Sequence, residues 1–234
     1  MSSFRFKHFS IRQNKTAMKV GTDTILFGSW LNLSINQKLI LDVGTGTGLL
    51  ALMMAQKSTN IKITGLEIDQ NAYLQAVDNS SLSPWKNRIR IIHTDARVWS
   101  TSDKFDLIIS NPPYFSNSLA PNTIPKRHAR HQESFSLYDL VDLWKRQGSI
   151  NSELSCILPV NEAEKLIALI DENGFSLKKY TTVKPKSTLI PNRAMLLFVK
   201  ENVPTLKSEL YIRNEDGTYS EEYIKLTKDF YLGL

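Results

Sequence analysis

The chain has 234 residues, 41% of them hydrophobic, enough for one sizeable globular core, and a formal net charge of +6 with a pI near 9.3. No apolar run is long enough to span a membrane, and the polar start Met1-Ser2-Ser3-Phe4-Arg5 has no signal-peptide core, so the expected setting is the cytoplasm. The one cysteine, Cys156, lies in an apolar run; this excludes a disulfide framework and gives no metal-ligand spacing, while the basic excess permits a nucleic-acid partner without requiring one.

Residues 4–12 interleave Phe4, Phe6, Phe9 and Ile11 with Arg5, Lys7, His8 and Arg12. Such alternation fits a short edge strand with one wet face, or a basic-aromatic arm that meets phosphates and bases. Met18-Lys19-Val20-Gly21-Thr22-Asp23 follows, with Thr22 or Asp23 as the cap of a helix through Ile25, Leu26, Ser29 and Trp30. This segment is either a loop with its capped helix or a lid over a cofactor. Residues 1–32 as a whole read as an arm and lid on a single domain of residues 1–234.

Leu39-Ile40-Leu41-Asp42-Val43 is a nearly continuous apolar run, as a central parallel strand requires. It runs into Gly44-Thr45-Gly46-Thr47-Gly48 and then a helix rich in leucine and methionine. Strand, glycine loop and helix form a nucleotide-cofactor arrangement, because the loop admits a ligand to the backbone and the helix start presents free N–H groups. A dinucleotide fingerprint needs its third glycine at position 49, where this chain has Leu49. The acid at position 42 suits a cationic ligand better than a pyrophosphate.

Residues 61–67 form the second strand and end on Glu67, a place to accept two ribose hydroxyls. Asp69 caps a helix with Ala72, Ala76 and Val77 inward, closed by Pro84 and Trp85. Ile89, Ile91 and Ile92 make the third strand. It ends at Asp95, either a turn residue or an acceptor for an adenine amine. The fourth strand, 105–110, delivers Asn111-Pro112-Pro113-Tyr114. Two prolines lack the N–H groups a sheet ladder needs, so the chain leaves the sheet at Asn111. The motif is then a strand-ending turn, or a cluster of acceptors and an aromatic ring that holds a planar amine at a strand's carboxyl end.

Residues 115–133 have no periodicity and carry Lys126, Arg127 and Arg130 in a basic cluster, read as a solvated loop or as a substrate- or RNA-ordering one. Ser136 to Asp139 form a capping box ahead of a helix with Leu137, Leu140, Val141 and Trp144 on one face. Further strands are expected at 154–158, near 175–183 and at 194–199. A helix capped by Asn161 and stopped by Gly174 lies between the first two. The loop between the last two carries Lys186 and Arg193, and Lys184 precedes it. Asp216-Gly217 is a hairpin turn or a loop before a last helix with Tyr223, Leu226 and Phe230 on one side. The alternation specifies an α/β fold: an open, mostly parallel, seven-stranded sheet with helices on both faces.

The set Asp42 to Gly48, Glu67, Asp95 and Asn111-Pro112-Pro113-Tyr114 resembles class I S-adenosylmethionine-dependent methyltransferases that modify amino or amide nitrogens. With Met18 to Asp23, Ser83-Pro84-Trp85 and the ending Leu226 to Leu232, the chain further resembles the bacterial valine-tRNA adenine-37 N(6)-methyltransferase family along essentially its whole length. The resemblance implies a Rossmann-like fold, S-adenosylmethionine as cofactor and tRNA as partner, with no metal needed. It implies cofactor contacts from Lys19, Gly21, Thr22, Asp42, Gly44, Gly46, Gly48, Glu67, Asp95 and Asn111, with Asp42 facing the cationic end. Asn111 and the Pro112 carbonyl would take hydrogens from the target amine, beside Pro113. Tyr114 would stack on the base, worth about 1–3 kcal/mol. Lys126, Arg127, Arg130, Lys184, Lys186, Arg193 and the N-terminal arm are the expected grip on tRNA phosphates. Three rivals stay open: a DNA adenine, ribosomal guanine or protein glutamine as acceptor; a nicotinamide oxidoreductase; and an RNA-binding protein without catalysis.

Overall fold

Glycines at 44, 46 and 48 all take positive φ (71°, 58° and 80°), so the chain after Leu39–Val43 reverses in a turn that side chains would strain. That turn joins a buried strand to the helix Leu49–Lys57 and sets the layout of the computed structural model, which describes residues 3–14, 16, 20–112 and 135–233.

The elements run in order as β1 (Ser3–Arg5), β2 (Ser10–Arg12), α1 (Thr22–Trp30), β3 (Leu39–Val43), α2 (Leu49–Lys57), β4 (Lys62–Glu67), α3 (Gln70–Ser81) and β5 (Ile89–His93). They continue as β6 (Phe105–Ser110), α4 (Leu137–Gln147), β7 (Gly148–Pro159), α5 (Val160–Glu172), β8 (Ser176–Lys186), β9 (Arg193–Val199), β10 (Leu206–Arg213) and α6 (Glu221–Thr227). Among the described residues the main sheet has eight strands in the order β10-β8-β9-β7-β6-β3-β4-β5, with β9 antiparallel to both of its neighbours. The α/β class and the mostly parallel sheet agree with the sequence reading. The eighth strand, β10, was not expected. It adds parallel to β8 at an edge, and four of its first residues, including Lys207 and Glu209, face solvent, so it lacks the apolar run of a central strand.

The chain runs outward from β3 through β4 to β5 and then returns to place β6 on the other side of β3. The strand order therefore reverses between β3 and β6, where Val43 pairs with Ser110. Open sheets of this kind bind ligands at that point, outside the carboxyl ends of the strands. Ser110 Oγ donates to the Val43 carbonyl at 2.8 Å and ties the two strand ends together.

Two apolar layers cover the sheet. One gathers residues of α1, α2 and the C-terminal Tyr223 and Phe230; the other gathers Leu140, Trp144, Leu166 and Ile170 from α4 and α5. Burial of such side chains contributes roughly 1.5–3 kcal/mol each. Gly28 lets α1 lie directly on α2: a Cβ there would sit 2.7 Å from Met53 Sδ. Cys156 is buried in the second layer, as expected of a small core residue.

The local signals hold where they are local. Asp69 Oδ1 accepts from Ala72 N at 2.8 Å, and Ser136 and Asp139 form the capping box. Gly174 ends α5 at φ 73°. Asn161 does not cap α5, because the helix begins one residue earlier with Pro159 at its start. Thr22 and Asp23 do not cap α1 either; Gly21 occupies that position without a side-chain bond. Ala72 and Ala76 are buried while Val77 is half-buried. Residues 4–12 form the small β1–β2 ladder, separate from the main sheet. Phe6 and Phe9 are buried and stacked with centroids 4.6 Å apart, and Phe9 meets Trp85 edge-on. The aromatic half of the expected arm is thus committed to packing, whereas Arg5, Lys7, His8 and Arg12 are exposed.

Candidate active site

A cavity of about 390 Å³ opens at the β3–β6 switch point, lined by Val43, Gly44, Gly46, Leu66 to Asp69, Thr94 to Arg97, Ser110 to Pro112 and Phe135. Its size falls in the range of small-molecule sites. A wider groove of about 660 Å³ between the end of α1, β8, β10 and α6 contains none of these strand-end residues.

Glu67 closes one side. Its Oε2 accepts from Gly46 N at 2.8 Å, and its Oε1 accepts from Ile68 N and Asp69 N at 2.9 Å each. Three backbone donors thus fix a carboxylate that has about four acceptor positions, and at least one remains for a hydroxyl in the cavity. The same bonds hold the glycine turn against the end of β4, where Gly44 N and Thr45 N also reach the Leu66 carbonyl at 3.0 Å.

Asp95 stands at the end of β5, held by Arg97. The Arg97 backbone N–H and Nε both bond Oδ1, and Nη2 meets Oδ2 at 2.6 Å. That fork raises the guanidinium pKa further and keeps the carboxylate plane fixed. Arg97 was missed from sequence, although a basic residue two positions after a strand-end acid is a readable signal.

Asp42 does not line the cavity. It is 1% exposed, receives Thr45 Oγ1 at 2.6 Å and the backbone N–H of Ala51 in α2, and so braces the glycine turn from behind. Burial pushes its carboxyl up to about 7, Thr45 draws it down and Glu67 pushes it further up. Where the sequence reading has this acid face the cofactor, its side chain is engaged by Thr45 and Ala51 beneath the turn. Gly65, paired with Asp42 in β4, makes room: a Cβ there would lie 3.0 Å from Thr45 Oγ1.

Asn111 sits at the mouth, half-buried, on the end of β6. Its Nδ2 donates to Thr24 Oγ1 at 2.7 Å, and among the described residues no donor engages its Oδ1. The buried Pro112 follows in the lining. Pro113, Tyr114, Lys19, Lys126, Arg127 and Arg130 lie outside the described residues. Gly48 ends the turn at the start of α2, while Gly21 and Thr22 open α1 and are not part of the lining. Of the expected phosphate-binding residues, Lys184 pairs with Glu209 and Arg193 Nε with Asp23, both at 2.8 Å. Lys184, Lys186 and Arg193 are all half-exposed.

The chain is similar to known proteins in sequence and in fold. Residues 16–129 match the model of the Methyltransferase small domain. A tRNA1(Val) (adenine(37)-N6)-methyltransferase of Pseudoalteromonas translucida is 41% identical over 232 residues, 99% of either chain. One of Flavobacterium psychrophilum is 40% identical over 98% of this chain and 99% of its own. Among solved structures, a predicted O-methyltransferase from Agrobacterium tumefaciens has a TM-score of 0.70 at 17% identity, covering 89% of this chain and 96% of its own. Pyrococcus horikoshii TYW2, in complex with MeSAdo, has a TM-score of 0.60 at 13% identity, covering 86% and 72%. With full-length relatives near 40% identity and this strand-end geometry, the chain belongs to the tRNA1(Val) (adenine(37)-N6)-methyltransferase family and is a class I methyltransferase that uses S-adenosylmethionine.

Proposed function

We propose that the enzyme methylates the N(6) amine of adenine 37 in the anticodon loop of a valine tRNA, in the cytoplasm. The observation that carries this reading is Asn111: a side-chain carbonyl with no partner among the described residues, at the mouth of a cavity floored by the glycine turn. The relatives named for this reaction support the choice of acceptor. When bound, S-adenosylmethionine supplies an electrophilic methyl on a sulfonium, so no metal or covalent nucleophile is needed.

The residues fit that cofactor. The spare acceptor position on Glu67 takes a ribose hydroxyl, Asp95 takes an adenine amine, and Gly44 and Gly46 let the methionine end approach the backbone. Asp42 acts from behind the loop by holding it to α2. Lys19, Gly21 and Thr22 are kept as cofactor contacts on the family resemblance.

An aryl amine is a poor nucleophile because its lone pair is delocalised into the ring. Asn111 Oδ1 and the Pro112 carbonyl accept its two hydrogens, draw them out of the ring plane and localise the lone pair towards the methyl. The new C–N bond would form as the methyl–sulfur bond breaks, its electron pair staying on sulfur, and the nitrogen would lose one of these protons to solvent past the same acceptors. Tyr114 stacks on the base, with Pro113 beside it in the sequence. Swinging an adenine out of a loop costs a few kcal/mol, less than from a duplex.

Lys184, Lys186, Arg193, Lys126, Arg127 and Arg130 grip the tRNA backbone. Lys184 exchanges its carboxylate partner for a phosphate, at small cost because a pair near the surface contributes about 0–1 kcal/mol, while Arg193 keeps its bond to Asp23. Incubation with methyl-labelled cofactor and total tRNA, followed by nuclease mapping and nucleoside mass spectrometry, tests the assignment. N(6)-methyladenosine at position 37 of valine tRNA is expected. Label confined to DNA adenine, a ribosomal guanine or a protein glutamine would replace it with that acceptor.

A further inference from the structure

An asparagine can accept a target's hydrogens only if its amide is held the right way round. Rotation by half a turn would set NH2 against NH2. Something must therefore hold the Asn111 amide before the base arrives, and the strand end cannot do so alone, because β6 stops at Ser110.

The side chain that reaches it is Thr24, 87 positions away in the first turn of α1. Asn111 Nδ2 donates to its Oγ1 at 2.7 Å, a short, well-formed contact. With the nitrogen engaged there, Oδ1 is left without a donor among the described residues. A hydroxyl can accept or donate, so Thr24 anchors the amide, and the target amine, a pure donor on its N–H side, selects the arrangement with nitrogen on Thr24 and oxygen on the amine.

A positioning residue must itself be fixed, and α1 is clamped along its length. Asp23, beside Thr24, is bonded by Arg193 Nε from the start of β9 at 2.8 Å. Gly28 is pressed onto Met53 of α2, leaving no space for even a methyl group. Trp30 Nε1 donates to Thr181 Oγ1 of β8 at 3.0 Å, and Lys57 Nζ donates to the carbonyls of Ser29 and Leu31 at the far end. Helix α1 thus brings a hydroxyl from a separate part of the chain to the methylation site and holds it still.

We propose that Thr24 is the positioning residue of the transfer: its hydroxyl anchors the Asn111 amide in place and so determines the rate of methylation rather than cofactor or tRNA affinity. This rests on the reading of Asn111 as the amine's acceptor. Thr24→Val keeps the shape and removes the hydroxyl; Thr24→Ser restores it. The single-turnover rate of tRNA methylation in Thr24→Val is expected to fall about tenfold, with KM for tRNA and the cofactor Kd within about twofold, and Thr24→Ser is expected to recover most of it.

A second measurement needs no turnover. In the 15N-labelled cofactor-free protein, the Asn111 side-chain NH2 signal, assigned by its disappearance in Asn111→Asp, should show slowed exchange that is lost in Thr24→Val and kept in Thr24→Ser. An unchanged NH2 signal in Thr24→Val, or a rate loss that Thr24→Ser does not recover, overturns the role of Thr24. Loss of the slowed exchange in a protein that labels no tRNA adenine would keep the Thr24–Asn111 contact and overturn the proposed acceptor instead.

Discussion

The β3–β6 end of the sheet and the β8–β10 end use their charges in opposite ways. At the first, carboxylates are drawn inside: Asp42 is 1% exposed, Glu67 is 9% exposed, and each is held by backbone N–H groups or a hydroxyl rather than by a cation. At the second, Lys184–Glu209 and Lys178–Glu153 are ion pairs near the surface. The difference teaches where binding energy can be concentrated. A carboxylate fixed by preorganised dipoles in a poorly solvated cleft acts strongly on whatever enters, while a surface pair is screened and easily exchanged.

The sharpest way to break the comparison is Asn111→Ala. The variant should lose at least about a hundredfold in single-turnover rate, as when one preorganised polar contact is removed from an active site. Cofactor affinity by calorimetry should stay within a few fold. A comparable loss of cofactor binding would show that Asn111 serves the cofactor and not the amine.

Glu67→Gln comes next. Its amide keeps one acceptor oxygen and loses the charge that three backbone N–H groups converge on, so cofactor affinity should drop roughly tenfold to a hundredfold, measurable by calorimetry. Unchanged affinity would sever the glycine turn from cofactor binding.

Asp42 gives a pH test. Its folded value, about 7, lies above the ordinary 3.8, so folding takes up a proton between those limits. The stability belonging to the neutral form is complete below about 4 and is lost as pH rises through 7, at about 1.4 kcal/mol for each pH interval, a few kcal/mol in all. Asp42→Asn cannot ionise. Its melting temperature relative to the parent should therefore rise between pH 5 and pH 8, and a flat difference across that range would refute the buried, neutral acid.

The smallest effects belong to the outer end. Lys184→Ala, Lys186→Ala and Arg193→Ala should each change stability by less than about 1 kcal/mol. Each should also lower the salt dependence of tRNA binding by about one counterion, read as the slope of log affinity against log salt. A steep slope kept intact in the triple variant would move the tRNA grip elsewhere.

Legibility in the sequence followed range. The glycine turn, the Asp69 cap, the Ser136 box and the strand-end positions of Glu67, Asp95 and Asn111 depend on residues a few positions apart, and the chain spells them out. The cap of α5 was misplaced by two residues because Pro159 stands at the cap, ahead of Val160, where an asparagine looked the better choice. Strand β10 stayed hidden because an edge strand with exposed charges carries no apolar signature.

What the residue order fixed by itself was an alternating sheet with acids, glycines and an amide at successive strand tips, since strand period and turn chemistry are short-range properties. What only the folded chain decided was direction. Asp42 turned under its loop to meet Ala51, Arg193 reached Asp23, and Asn111 met Thr24, because those partners come together only when helix α1 and the sheet pack, and packing depends on the whole three-dimensional arrangement.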